Sequence, residues 1–250
     1  MEYKSLREFQ ESCGYEIDGQ WYPRVTSIVS VIAKPALYKY YAKQESFEAA
    51  ENHKNKSAEE GTMIHAVIEN IMEGKDIAVP SSVAAIVDSY KHFAQDTKIV
   101  PHKVETRIKS AKHGYAGTID VLAEIDGKLG VLDIKTSSAI YRDYGIQTAA
   151  YVEALNEDLN MPELTRWVLR LDQTRACLGG CGARLRSRAG VDSIKNGFGR
   201  AKTCAHSWGP LTGDVELREL DNLQNDTKAF LAAKSLWEWQ NDPWLCKIVQ

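Results

Sequence analysis

Two aspartates and a lysine lie in apolar, strand-like stretches near the middle of the sequence. Asp120 and Asp133 each have apolar residues on both sides, and Lys135 follows the second aspartate by two positions. A carboxylate is costly to bury unless something pairs with it. Two carboxylates close together repel each other, and a divalent cation is the usual way to relieve that repulsion. Hard oxygen ligands of this kind predict a Mg²⁺ or Mn²⁺ site.

The lysine adds a chemical function to this predicted metal site. In a strand, residues two apart emerge from the same face, so Asp133 and Lys135 should project together. A lysine beside a metal can orient and help deprotonate a water molecule, or stabilise charge that develops on a phosphate. The alternative is a surface ion pair on an edge strand, and the apolar flanking residues make that the weaker interpretation.

Neighbouring strands must bring the two aspartates together. Residues 104–110, 114–126 and 128–137 are β-rich and are separated by turn residues that include Asp126-Gly127. Such runs joined by a short turn are typical of adjacent antiparallel strands. We therefore expect Asp120 and Asp133 to come close across this turn.

The segment before these strands is expected to be mainly helical. Its predicted elements are a hairpin over 14–23, a short helix through Ala33 capped by Thr26 or Ser27, a second helix over 35–50, and helices over 61–74 and 81–95. These predictions rest on the helical spacing of apolar residues and on the capping residues. The polar stretch 51–60 is expected to be an exposed connection.

The segment after the strands predicts alternating helices and strands. It contains a helix over 142–157, a strand over 166–173, a strand over 214–220 and an amphipathic helix over 223–241. Such a pattern favours an α/β fold with a mixed central β-sheet flanked by helices. Residues 1–250 are interpreted as a single domain, with 174–213 as an insertion.

Composition limits the class of protein. The chain has 250 residues and a formal net charge of −3, so affinity for nucleic acid would depend on local basic patches. No apolar run approaches a membrane span, and the N-terminal residues lack the apolar centre of a signal peptide. These features predict a cytoplasmic protein without membrane contact. Five cysteines are an odd number, which argues against a disulfide framework.

Two predicted helices carry further polar residues at helical spacing. Gln147 and Tyr151 are four apart and share a face, and Glu69 follows His65 by one turn. Taken alone, His65 is more often a half-buried core histidine, and Gln147 and Tyr151 could simply contribute to helix packing. The order in which these residues and the Asp120, Asp133 and Lys135 set follow one another along the chain favours a functional role.

This ordered set resembles the PD-(D/E)XK nuclease superfamily, in particular its RecB-like exonuclease branch. The matching motifs are, in order, His65, Gly117-x-x-Asp120, Asp133-x-Lys135 and Gln147-x-x-x-Tyr151. The upstream segment WYPRVTSIVSVIAKPALYKYYA is also similar to the leading segment of phage and mitochondrial genome-maintenance exonucleases. The resemblance covers residues 20–172 and resumes at 214, and it implies a restriction-endonuclease-like core with an N-terminal helical wall. Arg24 departs from it, because this position often holds a small residue.

The resemblance also implies a role for each matching residue. Asp120, Asp133, His65 and the backbone carbonyl of Ile134 would hold the metal, Lys135 would position the water, and Gln147 and Tyr151 would contact the DNA phosphate or the lysine. Glu69 and Glu105 are candidates for a second metal or for supporting the first ligands.

The implied activity is a metal-dependent DNA exonuclease that hydrolyses phosphodiesters with Mg²⁺ or Mn²⁺. Its substrate would be DNA that is single-stranded or has free ends, in recombination, repair, replication or phage DNA processing. One alternative is a non-catalytic nucleic-acid-binding module, which the intact Asp120, Asp133 and Lys135 set disfavours. Another is a sequence-specific or structure-specific endonuclease, which the helical histidine and the Gln147–Tyr151 pair disfavour.

The inserted segment predicts a second, different metal site. Cys177, Cys181, Cys204 and His206 lie within it, and soft thiolates with imidazole favour a closed tetrahedral Zn²⁺ site. A small zinc-ribbon-like insertion could derive its stability from such a metal. A reduced, flexible loop is one alternative. An iron–sulfur cluster that also uses Cys13 and Cys246 is another, and the tight local trio with His206 favours zinc.

The insertion is also basic. Its cations are Arg175, Arg184, Arg186, Arg188, Lys195, Arg200 and Lys202, against the single acid Asp192. The simple alternative is a solvated loop. Beside a nuclease site, we expect these residues to bind the DNA backbone, because phosphate neutralisation releases counterions. We also expect this clamp to be separable from the catalytic site.

Overall fold

A mixed seven-stranded sheet forms the centre of the computed structural model, which describes residues 3–159, 163–196 and 199–248. Its strands are β3 (Val100–Ser110), β4 (Tyr115–Ile125), β5 (Lys128–Lys135), β6 (Thr165–Cys177), β7 (Arg184–Arg188), β8 (Val191–Lys195) and β9 (Trp208–Glu219). They follow the order β3-β4-β5-β6-β7-β8, with β9 also paired to β6. The β5–β6 pair is parallel and the other described pairs are antiparallel. A separate hairpin joins β1 (Gly14–Ile17) to β2 (Gln20–Pro23).

Helices cover both faces of this sheet, which confirms the predicted α/β class. They are α1 (Leu6–Cys13), α2 (Val25–Val29), α3 (Pro35–Tyr41), α4 (Phe47–Met72), α5 (Ala84–Asp96), α6 (Asp143–Leu159) and α7 (Leu223–Ile248). One apolar core joins α1, α2, α6 and α7 to the sheet, and a second core joins α4 and α5 to it. Among the described helices, none has the length and apolar character needed to cross a bilayer.

The N-terminal half of α4 corrects one prediction. The polar stretch 51–60 was expected to be a connection, but it is helical and continues without a break into the predicted helix over 61–74. The Ser46 side chain starts this helix by accepting a hydrogen bond from the backbone N of Ala49 at 3.0 Å. Residues 51–60 show no apolar period because part of their face contacts polar groups of the distant insertion. His53 Nε2 lies 3.1 Å from the backbone O of Arg188.

Three smaller boundaries also differ from the predictions. The helix expected over 35–50 ends at Tyr41 as α3, and Phe47 begins α4. The short helix α2 begins at Val25, and its N-cap residue Arg24 has no side-chain capping bond, so neither Thr26 nor Ser27 is the cap. Helix α1 was not predicted at all. Its N-cap is Ser5, whose side chain accepts from the backbone N of Glu8.

The sheet splits between β4 and β5. Their ladder runs from the Ile125–Lys128 pair to the Val121–Leu132 pair. Beyond that point β4 stays paired with β3, and its other edge has a single bridge, from Arg24 to Ala116. Because β9 follows one edge of β6 along its length, β5 and then β7 must share the other edge. The two strands therefore separate just beyond their last paired residues.

Candidate active site

Asp120 and Asp133 are the first residues beyond the end of the β4–β5 ladder. Oδ2 of Asp120 accepts a hydrogen bond from the backbone N of Ile134 at 2.7 Å. Nε2 of His65, on α4, lies 3.1 Å from the same oxygen and 3.2 Å from the backbone O of Ile134. The split in the sheet lets groups from two strands and a helix meet.

These three atoms are spaced as ligands of one hard cation would be. Metal–ligand bonds of about 2.1 Å place neighbouring octahedral ligands about 3 Å apart. The separations of 3.1 Å and 3.2 Å from Nε2 of His65 to Asp120 and to Ile134 match that spacing. The predicted ligands His65, Asp120 and the carbonyl of Ile134 are therefore brought together.

Two glutamates add to the negative charge at this point. Glu69 contacts Nδ1 of His65, and single ligand atoms of His65, Glu69 and Glu105 all lie within 4.8 Å of one another. The contact with His65 is made by Oε1 of Glu69, which is buried. One histidine thus faces several crowded carboxylates, an arrangement that a divalent cation would stabilise.

The backbone at Glu105 is unusual for a strand residue. Its φ angle is 47°, in the left-handed region that residues other than glycine rarely adopt. Val104 pairs with Val121 and Thr106 with Ile119, but no pair forms between Glu105 and Asp120. Such backbone strain occurs most often at functional sites.

Electrostatics around His65 favour its charged form when no metal is bound. Burial would lower the pKa of His65, but hydrogen bonds with Asp120 and Glu69 raise it to about 10. Burial would raise the pKa of Asp120, but the hydrogen bond from His65 and the charge of Lys135 lower it. Burial of the Glu105 carboxyl group and its contact with Glu69 raise the pKa of Glu105 to about 7. A metal that binds Nε2 must displace the histidine proton.

Asp133 is fully buried and faces α6. Nζ of Lys135 lies 2.7 Å from Oδ1 and 2.6 Å from Oδ2 of Asp133, but only the first contact has hydrogen-bond geometry. Gln147 Nε2 donates to the same Oδ1 at 3.1 Å and to the Tyr151 hydroxyl at 3.0 Å. Within the described chain, the buried Oδ2 therefore accepts no hydrogen bond. Oδ2 is therefore balanced by the Lys135 charge at 2.6 Å and not by a directed hydrogen bond.

Lys135 remains a cation in this environment. Burial would lower the pKa of Lys135, but the charges of Asp133 and Asp120 raise it. Its Nζ also lies 5.2 Å from the ring centroid of Tyr144. Burial raises the pKa of Asp133 to about 6, and it raises the pKa of Tyr151 well above its usual value. At neutral pH the site thus holds a lysine cation against a carboxylate, with a neutral tyrosine nearby.

A cleft beside α4 gives access to these groups. Its lining residues are Ala58, Gly61, Thr62, His65, Ala66, Glu69, Glu105, Ile134, Lys135 and Thr136. The helix contributes mainly small side chains to this wall, which leaves room for a ligand. Thr136 was not singled out in the sequence, although it directly follows the Asp133-x-Lys135 motif.

No protein-family model matches this chain, and no curated protein matches it either. The side-chain chemistry of the cleft is therefore the basis for a functional assignment.

The predicted Cys–His cluster also comes together. Ligand atoms of Cys177, Cys181, Cys204 and His206 all lie within 4.8 Å of one another. Sγ of Cys177 is 3.8 Å from Sγ of Cys204, and Sγ of Cys181 is 3.5 Å from Nδ1 of His206. Tetrahedral Zn²⁺, with bonds of about 2.3 Å to sulfur and 2.0 Å to nitrogen, requires separations of about 3.8 Å and 3.5 Å. The cluster is a possible metal site compatible with zinc.

The other two cysteines take no part in this cluster. Cys13 is buried in the apolar core with its Sγ 3.0 Å from the hydroxyl of Tyr3, and Cys246 is exposed on α7. A hydrogen bond with His206 lowers the pKa of Cys177 to about 6, whereas hydrogen bonding with Cys181 raises the pKa of Cys204 to about 11. Unequal affinities for protons are expected where several thiols share a small space.

Several basic residues of the insertion, which we expected to bind the DNA backbone, contact groups within the protein. Arg186 and Lys195 both contact the buried carboxylate of Asp172, at 2.8 Å and 2.6 Å. Arg188 Nε lies 3.2 Å from Glu60. Arg184 donates to the hydroxyl of Thr174 at 2.8 Å. These contacts help to stabilise the protein. The acidic partners, Asp172 and Glu60, lie outside the insertion over 174–213.

Two predicted DNA-binding residues remain exposed. Arg200 and Lys202 lie on a single 3₁₀ turn, Gly199–Thr203, next to Cys204. Arg175 is half-buried and donates to the backbone O of Gly209 at 3.2 Å. Among the insertion's cations, Arg200 and Lys202 are thus exposed, and the binding of phosphate by the others remains a prediction.

The β7–β8 hairpin, which we expected to be separable from the catalytic site, contacts residues next to the candidate active site. Arg186 and Arg188 donate to the backbone O and the hydroxyl of Thr136, each at 3.3 Å. Arg188 also donates to the backbone O of Ser57 on α4 at 2.9 Å, and Lys195 donates to the backbone O of Ser138 at 3.0 Å. The hairpin thus fixes the end of β5 relative to α4.

Proposed function

We propose that this chain is a divalent-metal-dependent deoxyribonuclease with a PD-(D/E)XK core, similar to the RecB-like exonucleases. The observation that supports this most is the convergence of His65, Asp120 and the Ile134 carbonyl at cation-ligand spacing beside Lys135. Asp133 would complete the ligand set through its Oδ2, which has no hydrogen-bond donor in the described chain. When bound, Mg²⁺ or Mn²⁺ would act as a Lewis acid that makes water nucleophilic and stabilises charge on phosphoryl oxygens.

The protein side chains supply position and charge for hydrolysis. The Lys135 ammonium, held by Asp133, would orient the attacking water and stabilise negative charge on the phosphate. Gln147 fixes Asp133 Oδ1 and the Tyr151 hydroxyl at the same time. Because a bifunctional amide of this kind restricts both partners, the geometry of Asp133 and Lys135 is set before substrate binds.

We further propose that the Cys–His cluster binds structural Zn²⁺. Four ligands in a closed set leave no open position for a substrate, which is typical of structural zinc. The cluster lies between β6 and β9, at the base of the segment that carries the β7–β8 hairpin. Zinc would therefore stabilise the hairpin that contacts Thr136 and α4.

Digestion of end-labelled DNA tests the nuclease proposal. Single-stranded, linear duplex and closed circular DNA are incubated with Mg²⁺, Mn²⁺ or EDTA. We expect the linear substrates to lose nucleotides from an end with either metal, no cleavage in EDTA, and intact circles. Cleavage of circles would indicate an endonuclease, and no cleavage with any metal would contradict the proposal.

A further inference from the structure

Tyr15 holds two guanidinium groups against its ring. Cζ of Arg24 lies 4.5 Å from the ring centroid, and Cζ of Arg107 lies 4.3 Å from it. The Tyr15 hydroxyl lies 3.4 Å from Oγ1 of Thr118. Stacking of this kind fixes the orientation of an arginine while its N–H groups remain available to a ligand.

This stack lies next to the candidate active site. Arg107 is the register partner of Thr118, and Thr118 precedes Asp120 by two residues on β4. Side chains two apart on a strand share a face and are separated by about 7 Å. Adjacent phosphates of single-stranded DNA have a comparable spacing. DNA with one phosphate at the metal ligands could therefore place its next phosphate near the two arginines.

In the part of the chain that the structure describes, no carboxylate forms an ion pair with Arg24 or Arg107, and Arg107 is exposed. Nε of Arg24 is buried without a hydrogen-bond partner. Its Nη2 reaches the backbone O atoms of Glu11 and Gly14 only at 3.5 Å. By contrast, the cation nearest to the metal ligands, Lys135, is already held by Asp133.

We propose that Arg24 and Arg107, oriented by Tyr15, bind a backbone phosphate of the nucleic-acid substrate adjacent to the phosphate at the metal ligands. This inference rests on the proposed nuclease function. The carboxylates of the cleft repel a polyanion, and a pair of guanidiniums offsets that repulsion at one fixed position. Arginine suits the task because its planar fork donates two hydrogen bonds to a phosphate.

A competing role for the stack is purely structural. The two arginines could serve only to attach the β1–β2 hairpin to β3 and β4. In that case, replacing Arg107 would lower the melting temperature without changing the affinity for DNA. Measurements of binding and of thermal stability on the same variants separate the two roles.

The test measures binding of a fluorescent single-stranded oligonucleotide in Ca²⁺, with cleavage followed in parallel in Mg²⁺. Arg107→Gln and Arg24→Gln are compared with the wild type and with Arg7→Gln, a surface arginine on α1 that pairs with Glu11. We expect about tenfold weaker binding for Arg107→Gln and a smaller loss for Arg107→Lys. The slope of log affinity against log salt should fall by about 0.7 for each lost phosphate contact. Arg7→Gln should bind like the wild type.

Position-specific neutralisation of the substrate makes the test sharper. A methylphosphonate placed at one internucleotide position should weaken binding to the wild type and have a smaller further effect on Arg107→Gln, in which only Arg24 would still contact that phosphate. Arg107→Gln supports this measurement even if Arg24→Gln fails to fold, because Arg107 is exposed. The proposed phosphate site would be contradicted if Arg107→Gln bound DNA with wild-type affinity. It would also be contradicted if the effects of Arg107→Gln and of the methylphosphonate on binding free energy were additive at every position. If either result came from a protein that cleaves DNA, the nuclease proposal would stand and only the phosphate site would be rejected. If the wild-type protein bound no DNA at all, both proposals would be rejected.

Discussion

Asp120 and His65 meet across the split sheet with Oδ2 and Nε2 3.1 Å apart, although 55 residues separate them in the chain. The contact joins β4 to α4. Because α4 also contacts the β7–β8 hairpin, the position of His65 depends on two distant parts of the sequence. Metal binding and the packing of α4 should therefore respond to the same substitutions.

The first prediction concerns His65. His65→Ala removes a nitrogen ligand but leaves Asp120 and the carbonyl of Ile134 in place. We expect the affinity for Mn²⁺ to fall about tenfold or more, with cleavage partly restored at raised Mn²⁺. The measurement is a metal titration of cleavage rate, with His92→Ala as the matched control because His92 is exposed on α5. Unchanged cleavage by His65→Ala across the titration would leave this histidine a packing role only.

The second prediction concerns Lys135. Lys135→Gln removes the cation beside Asp133, so turnover should fall by about 10²- to 10⁴-fold. Metal affinity should change far less, because the metal ligands are retained. Thermal unfolding should show some loss of stability, since Asp133 is buried and loses the ammonium group that pairs with it. If turnover stayed at the wild-type value, the lysine would have no part in the chemistry.

The third prediction concerns Gly117, one strand position from Thr118. A Cβ atom at this glycine would lie 2.5 Å from Cε1 of Tyr151 and 3.2 Å from Cγ2 of Val25. Gly117→Ala should therefore lower the free energy of unfolding by about 1–3 kcal/mol, although alanine ordinarily suits a strand better than glycine. Cleavage should also fall, because Tyr151 shares Gln147 with Asp133.

Denaturant unfolding provides the measurement, and a second background provides its control. In a Tyr151→Leu protein the overlapping ring atoms are absent, so the same Gly117→Ala change should cost less. Equal costs in the two backgrounds would show that ring overlap is not the cause.

The fourth prediction concerns the Cys–His cluster. Cys181→Ser should reduce the zinc content, and the β7–β8 hairpin should lose its fixed position. Because that hairpin contacts Thr136 and α4, DNA cleavage should fall as well as DNA affinity. Elemental analysis and cleavage assays on one preparation check both effects, with Cys246→Ser as the exposed control. Wild-type protein without stoichiometric zinc, or with the absorbance of an iron–sulfur cluster, would contradict the zinc assignment.

Two residue pairs of the candidate site could be predicted from sequence because their spacing is local. Asp133 and Lys135 are two apart on one strand, and Gln147 and Tyr151 are four apart on one helix. Each pair reveals its shared face without knowledge of the fold. The four ligands of the Cys–His cluster were likewise grouped by their position within one insertion.

Features that depend on distant partners could not be predicted in this way. Residues 51–60 have no apolar period, and the partners of His53 and Glu60 lie about 130 residues further along the chain. The pairing of Arg186 and Lys195 with Asp172 also depends on the path of the hairpin. The φ angle of 47° at Glu105 leaves no signature in its neighbours. Tyr15 and Arg107 become related to Asp120 only through strand register.

Asp120→Asn tests the central claim most directly, because the side chain keeps its size and its oxygen can still accept from the backbone N of Ile134. Mn²⁺ binding is measured by electron paramagnetic resonance, and cleavage of end-labelled DNA is measured on the same sample. We expect the variant to fold with a wild-type circular dichroism spectrum, to lose the tightly bound Mn²⁺ and to cleave no DNA. Wild-type Mn²⁺ binding and cleavage by Asp120→Asn would contradict the assignment of this site.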